Sequence, residues 1–96
     1  MTRTEHLLCI VAEECSEVAQ RASKALRFGM NEVQPGQAKN NMDRMIQEFA
    51  DLTAAMRMAI PYCFDDEGFE KMVDAKTDQV EHFLKYSEAQ GTLTGE

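Results

Sequence analysis

Two pairs of carboxylates carry the first chemical signal in this chain. Glu14 and Glu17 stand three residues apart, and Glu48 and Asp51 repeat the spacing. On a helix such residues are neighbours, with Cβ atoms about 5–6 Å apart. Glu13, four residues before Glu17, adds a further acid. Carboxylates this crowded repel one another unless a cation sits among them. The line holding the first pair is also ordered. Leu7, Ile10, Glu14, Glu17, Arg21, Lys24 and Phe28 follow at steps of three and four, passing from apolar to acidic to basic to aromatic. An ordinary solvated face mixes its signs. The plainer alternative is a pair of solvated helix surfaces whose acids find Arg and Lys partners along their own helices.

Three helical segments must position these residues. The first is expected over about Thr4 to Phe28, capped by Thr2 or Thr4 and closed by Gly29. Its apolar stripe reads Leu8, Val11, Cys15, Val18, Ala22 and Ala25. The second is expected over about Ala38 to Ile60, with the stripe Met42, Met45, Phe49, Leu52, Met56 and Ile60, and Pro61 ends it. The third is expected over about Asp66 to Ala89, capped by Asp65 or Asp66, with Phe69, Met72, Val73, Val80, Phe83 and Leu84 on its apolar side and Lys76 interrupting them. The reading is an all-α chain: an antiparallel helical bundle of three main helices over residues 1–90, completed by oligomerisation, with a flexible tail at 91–96.

If the first two helices pack antiparallel, the acid pairs meet. Glu17 lies 12 residues before Gly29 and Glu48 lies 10 after Ala38, which sets them at nearly equal heights above the turn. Glu14, Glu17, Glu48 and Asp51 would then form an all-oxygen cage suited to Mg²⁺ or Mn²⁺. A carboxylate di-iron site would want Glu-x-x-His on two helices. His6 and His82 each follow a glutamate directly, so iron is set aside. No Gly-rich phosphate loop is present, and no nucleophile stands at a suggestive spacing from a histidine.

Composition narrows the function classes. The formal net charge is −7 in 96 residues, with no cluster of Lys and Arg, which argues against nucleic-acid and anionic-membrane partners. Three cysteines without a CxxC pair argue against a disulfide framework and a structural zinc site, and they are read as reduced thiols. No segment reads as a membrane span or signal peptide, so the expected compartment is the cytoplasm. Seven methionines, four of them on the second helix, suit irregular helix–helix contacts.

The string E-E-C-S-E at Glu13 to Glu17, followed by E-F-A-D at Glu48 to Asp51, resembles the EExxE…ExxD signature of the MazG-like nucleotide pyrophosphohydrolases. These belong to the all-α NTP pyrophosphatase superfamily, with the dimeric dUTPases and the phosphoribosyl-ATP pyrophosphohydrolases. The stretch EECSEVAQRASKALRFG also looks like the short single-domain members that phages carry, which would act in the host cytoplasm. The resemblance covers roughly residues 5–60. One departure is the gap of 30 residues between Glu17 and Glu48, slightly longer than is usual, which a longer loop around Asn31 to Lys39 would absorb.

The resemblance implies hydrolysis of a (deoxy)nucleoside triphosphate to monophosphate and pyrophosphate. It carries the metal-ligand role onto Glu14, Glu17, Glu48 and Asp51, and makes Glu13 the extra acid. It also implies a lean toward purine deoxynucleotides, dGTP or dATP, and a homotetramer built as a pair of dimers, with a dimer as the alternative. For such a substrate, Arg21, Lys24 and Arg27 are candidates to hold phosphates. Leu7 and Ile10, with Phe28 and Asn31 nearer the loop, are candidates for the slot that takes the base. Ordinary core packing is the alternative for Leu7 and Ile10, and a salt bridge along its own helix for each base. Two other functions stay open: a house-cleaning enzyme for modified nucleotides, and a non-enzymatic helical interaction module.

Overall fold

The computed structural model describes residues 1–64 and 66–95. Every regular element in them is an α-helix, and no strand is present among the described residues. α1 spans Arg3–Phe28, α2 spans Asn41–Ala59 and α3 spans Glu67–Ala89. Two compact units emerge, Met1–Pro61 and Tyr62–Glu96, where the sequence reading drew one domain over 1–90.

The helix ends follow their local chemistry. Thr2 caps α1 in a reciprocal box: its side chain accepts from the Glu5 N–H at 3.1 Å, and Glu5 accepts from the Thr2 N–H at 2.9 Å. At the other end Gly29 takes φ 103°, a left-handed conformation a side chain would resist, and donates its N–H to the Ala25 carbonyl. α2 starts at Asn41, later than Ala38, because Asn40 is the cap that accepts from the Asp43 N–H. Asp66 caps α3 by accepting from the Phe69 N–H. The alternative cap Asp65, and Glu96 of the expected tail, lie outside the described residues. In that tail Thr92 donates its N–H back to the Ser87 carbonyl.

In the first unit α1 and α2 form an antiparallel hairpin. Its closed end is clamped by Asn41, which is 1% exposed. The Asn41 amide nitrogen donates to the Gly29 carbonyl at 2.8 Å and to the Glu32 carboxylate at 3.0 Å. The backbone adds two rungs, Asn41 N–H to the Glu32 carbonyl and Met42 N–H to the Met30 carbonyl. The long loop is thereby fastened to the start of α2, and the height at which the helices meet is fixed.

The seam of the hairpin corrects the expected stripes. On α1 it runs through Leu7, Val11, Glu14, Val18, Arg21 and Ala25, all buried or half-buried. Leu8, Cys15 and Ala22, expected in the core, are exposed, Leu8 at 49%. On α2 Ala55 is buried and Met45, Leu52 and Met56 are half-buried, whereas Phe49, expected in the core, is 60% exposed. By helical period, Leu8, Cys15, Ala22 and Leu26 on α1 share one side of the hairpin with Met42, Ile46 and Phe49 on α2. A shallow cavity lined by Ala22, Leu26, Met30 and Met45 opens on that side. The hairpin is therefore two-faced, apolar on one side of the seam and charged on the other.

The second unit is carried by α3. None of its residues is buried, and Met72, Val73, Val80, Phe83 and Leu84 of the expected apolar side are all exposed. Phe69 is half-buried, edge-on to Phe64 with ring centres 4.8 Å apart.

The clamp makes a stability prediction. Asn41→Ala removes the bond to the Gly29 carbonyl and the charge-assisted bond to Glu32 from a buried position, so unfolding in urea should show a loss of about 1–3 kcal/mol. A loss below about 0.5 kcal/mol, the range of ordinary surface changes, would mean that the loop is held by other contacts.

Candidate metal centre

Helical geometry brings three of the four expected carboxylates together. Glu14 from α1 and Glu48 and Asp51 from α2 each offer an oxygen, and these atoms all lie within 4.8 Å of one another. All three residues are half-buried. Glu17 is not part of this trio. It is half-buried on the same helix, but three residues advance a helix by about 300°, which turns Glu17 about 60° away from the line of Glu14. Its charge still reaches Glu14. Glu13 is exposed. Asp51 is also tied along its own helix, accepting from the Gln47 side-chain amide at 3.0 Å.

The Glu14 carboxyl is held above its ordinary value. Loss of solvent on packing is the first cause, followed by the negative charges of Asp51, Glu48, Glu13 and Glu17 in that order. Four neighbouring acids therefore act on one carboxyl. A cation among them would reverse every one of those pushes. Hard oxygen donors with no thiol or imidazole among them match Mg²⁺ or Mn²⁺ best.

The candidate phosphate-binding residues differ in their surroundings. Arg21 is half-buried on the seam, and its Nε and Nη1 are shut off from solvent with no hydrogen-bond partner. Stranding a buried charged donor costs upwards of about 1–3 kcal/mol, so this guanidinium is a group in want of an anion. Lys24 is half-buried and Arg27 exposed. Arg27 stacks over the ring of Phe28, 4.8 Å from its centre, an arrangement that occupies both. Among the base-slot candidates, Leu7 is buried, which realises the core-packing alternative. Ile10 is 42% exposed, and Phe28 and Asn31 are exposed near the loop. His6 and His82 are exposed, and neither belongs to the carboxylate trio. No helix among the described residues is long and apolar enough to cross a membrane.

Comparison with known proteins gives no matching family model, no matching curated protein and no matching solved structure. The functional reading therefore rests on the chain's own residues and their geometry.

The raised Glu14 makes a pH prediction. In the unfolded chain this glutamate loses its proton at lower pH than in the hairpin. Its contribution favours folding below the ordinary glutamate range and is lost as pH rises through the raised value. In chelator, Glu14→Gln should match the wild type in acid and become the more stable protein as pH increases. Thermal melts of both proteins across that range check this, and a difference that is flat with pH or of opposite sign would contradict it.

Proposed function

We propose that this chain is a metal-dependent nucleoside triphosphate pyrophosphohydrolase, acting on purine deoxynucleotides such as dGTP or dATP. The single observation that carries the reading is the meeting of Glu14, Glu48 and Asp51 across two helices within 4.8 Å. The spacing of these acids, with Glu13 and Glu17, is what resembles the MazG-like enzymes.

In this reading Glu14, Glu48 and Asp51 would hold Mg²⁺ or Mn²⁺, with Glu17, one turn along α1, as the fourth acid of the motif. The cation supplies charge to offset the phosphate oxygens and to acidify a water. Glu13 would accept the proton of the attacking water as the water oxygen bonds to a phosphorus of the triphosphate. The bond to the departing pyrophosphate breaks, and the electron pair leaves with it. Arg21 and Lys24 lie about one and two turns beyond Glu17 toward the loop, and they would hold the outer phosphates and the negative charge that builds on the leaving group.

The same reading takes the active form to be a homotetramer built as a pair of dimers. The exposed apolar face of the hairpin supports it, because Leu8, Leu26, Ile46 and Phe49 form a surface that a lone chain leaves in water.

Incubating the protein with each common dNTP and NTP tests the reaction class. Expected is monophosphate plus pyrophosphate in Mg²⁺ or Mn²⁺, abolished by chelator and lowered by more than about 100-fold in Glu48→Gln, beyond the loss typical of an outer-shell metal partner. Absence of turnover of any triphosphate by folded, Mg²⁺-supplemented protein overturns the proposal for standard nucleotides.

A further inference from the structure

The two helices of the hairpin carry the same chemical sequence in mirror order. Read toward the open end, α1 presents Arg21, Glu17, Glu14 and Leu7, at steps of four, three and seven residues. Read in the same direction, α2 presents Arg44, Glu48, Asp51 and Met58, again at steps of four, three and seven. Each set therefore lies on one face of its helix, spread over about 80°. Because Glu14 shares one cluster with both Glu48 and Asp51, those contacts fix the register to within about one helical turn, and the Glu14–Asp51 pair is used as its reference. Arg21 and Arg44 then each lie seven residues, about 10.5 Å, from that pair toward the loop, at similar height on facing helices. Leu7 and Met58 lie equally far toward the open end.

This order has two consequences. Toward the closed end two arginines stand at similar height on the facing helices. Arg44 donates through Nη1 to the Gln34 side chain at 3.0 Å, while Arg21 keeps Nε and Nη1 buried and unpartnered. Two cations at similar height, one with stranded donors, make a place for an anion with several oxygens. At the open end the charged side of the hairpin changes character. Ile10, in line with Glu14 and Glu17, is 42% exposed, and Met58, in line with Asp51, is 53% exposed. These two are apart from the apolar face described above, since they follow the lines of the acids. Leu7, on the seam of the same end, is buried.

We infer that the hairpin binds its nucleotide in one orientation: phosphates toward the loop, held by Arg21 and Arg44, and base toward the open end, against Ile10 and Met58. The inference rests on the nucleotide reading and adds direction to it. It makes Arg44 and Met58 ligand-binding residues and takes Phe28 and Asn31 out of the base slot, because they lie beyond the arginines on the phosphate side. A flexible thioether beside a β-branched side chain offers a face to any flat ring, so this platform selects for a base without choosing among bases.

Calorimetry with the two halves of the ligand, each in Mg²⁺, tests the orientation. The probes are inorganic pyrophosphate and dGMP. Arg21→Met and Arg44→Met, which keep an apolar stem, should weaken pyrophosphate about tenfold or more, the loss expected for one charge-assisted contact, and should change dGMP far less. Ile10→Gln and Met58→Gln should do the reverse. Arg44→Lys should recover part of the pyrophosphate binding, which a merely structural role would not require. Melting curves confirm that each variant is folded, and if Arg21→Met fails to fold, Arg44→Met carries the test. Opposite losses, or equal losses for both probes in every variant, overturn the orientation and leave the nucleotide reading standing. A folded wild type that binds neither probe overturns both.

Discussion

Mutual repulsion among carboxylates at a helix seam is the constraint on which the rest of this structure depends. Glu14, Glu48 and Asp51 occupy central turns of the only helix–helix contact in the first unit, where a hairpin of this size would ordinarily bury leucine or valine. Loss of solvent on packing first, and then the charges of Asp51, Glu48, Glu13 and Glu17, push the Glu14 carboxyl away from its ionised form. A seam built this way gains little from burial; Leu7, Ala25 and Ala55 are the buried apolar residues of the hairpin. The arrangement works against stability in the hairpin alone, and a bound cation, as proposed above, would offset it.

The rest of the hairpin compensates for that seam. Asn41 fastens the loop with a buried amide, and capping at Thr2 and Asn40 fixes where each helix begins. The apolar residues that the seam does not use collect on one outer side, from Leu8 and Leu26 on α1 to Ile46 and Phe49 on α2. The acids and the arginines collect on the other. One helix pair thus separates an apolar surface from a charged one, and the separation comes from a shift of only tens of degrees in the buried direction of each helix.

Much of this was legible in the sequence, and the part that was not has a definite cause. Three helices, the caps Thr2 and Asp66 and the closing Gly29 follow from local chemistry that tertiary packing did not override, whereas the Asn40 cap of α2 was not read. The pairing of acids across the two helices followed from their spacing and from an antiparallel turn. The buried face was misread. The rule that the most apolar stripe faces the core pointed to Leu8, Cys15 and Ala22, but the seam runs one position round, through Leu7, Glu14 and Arg21. Adjacent stripes on one helix differ by less than the width of a packed face, so periodicity alone does not choose between them. The same small rotation leaves Glu17 outside the trio. Asn41 gave no sign of its role, because a polar residue at a helix start is an ordinary cap until the loop folds over it. Arg44 and Met58 had a signal in the mirrored spacing, which acquires meaning only once the antiparallel register is known.

Manganese binding tests the central claim most directly, because it asks about the carboxylates without asking about any substrate. Calorimetric titration of the wild type with Mn²⁺, alongside melts with and without the ion, should show saturable binding and a folded state stabilised by about 2.7 kcal/mol at a hundredfold excess over Kd. Asp51→Asn should lose the binding and, in chelator, melt above the wild type, since it removes one of the charges acting on Glu14. A folded wild type that takes up no Mn²⁺ at millimolar concentration, or an Asp51→Asn variant that binds it as well as the wild type does, would contradict the account.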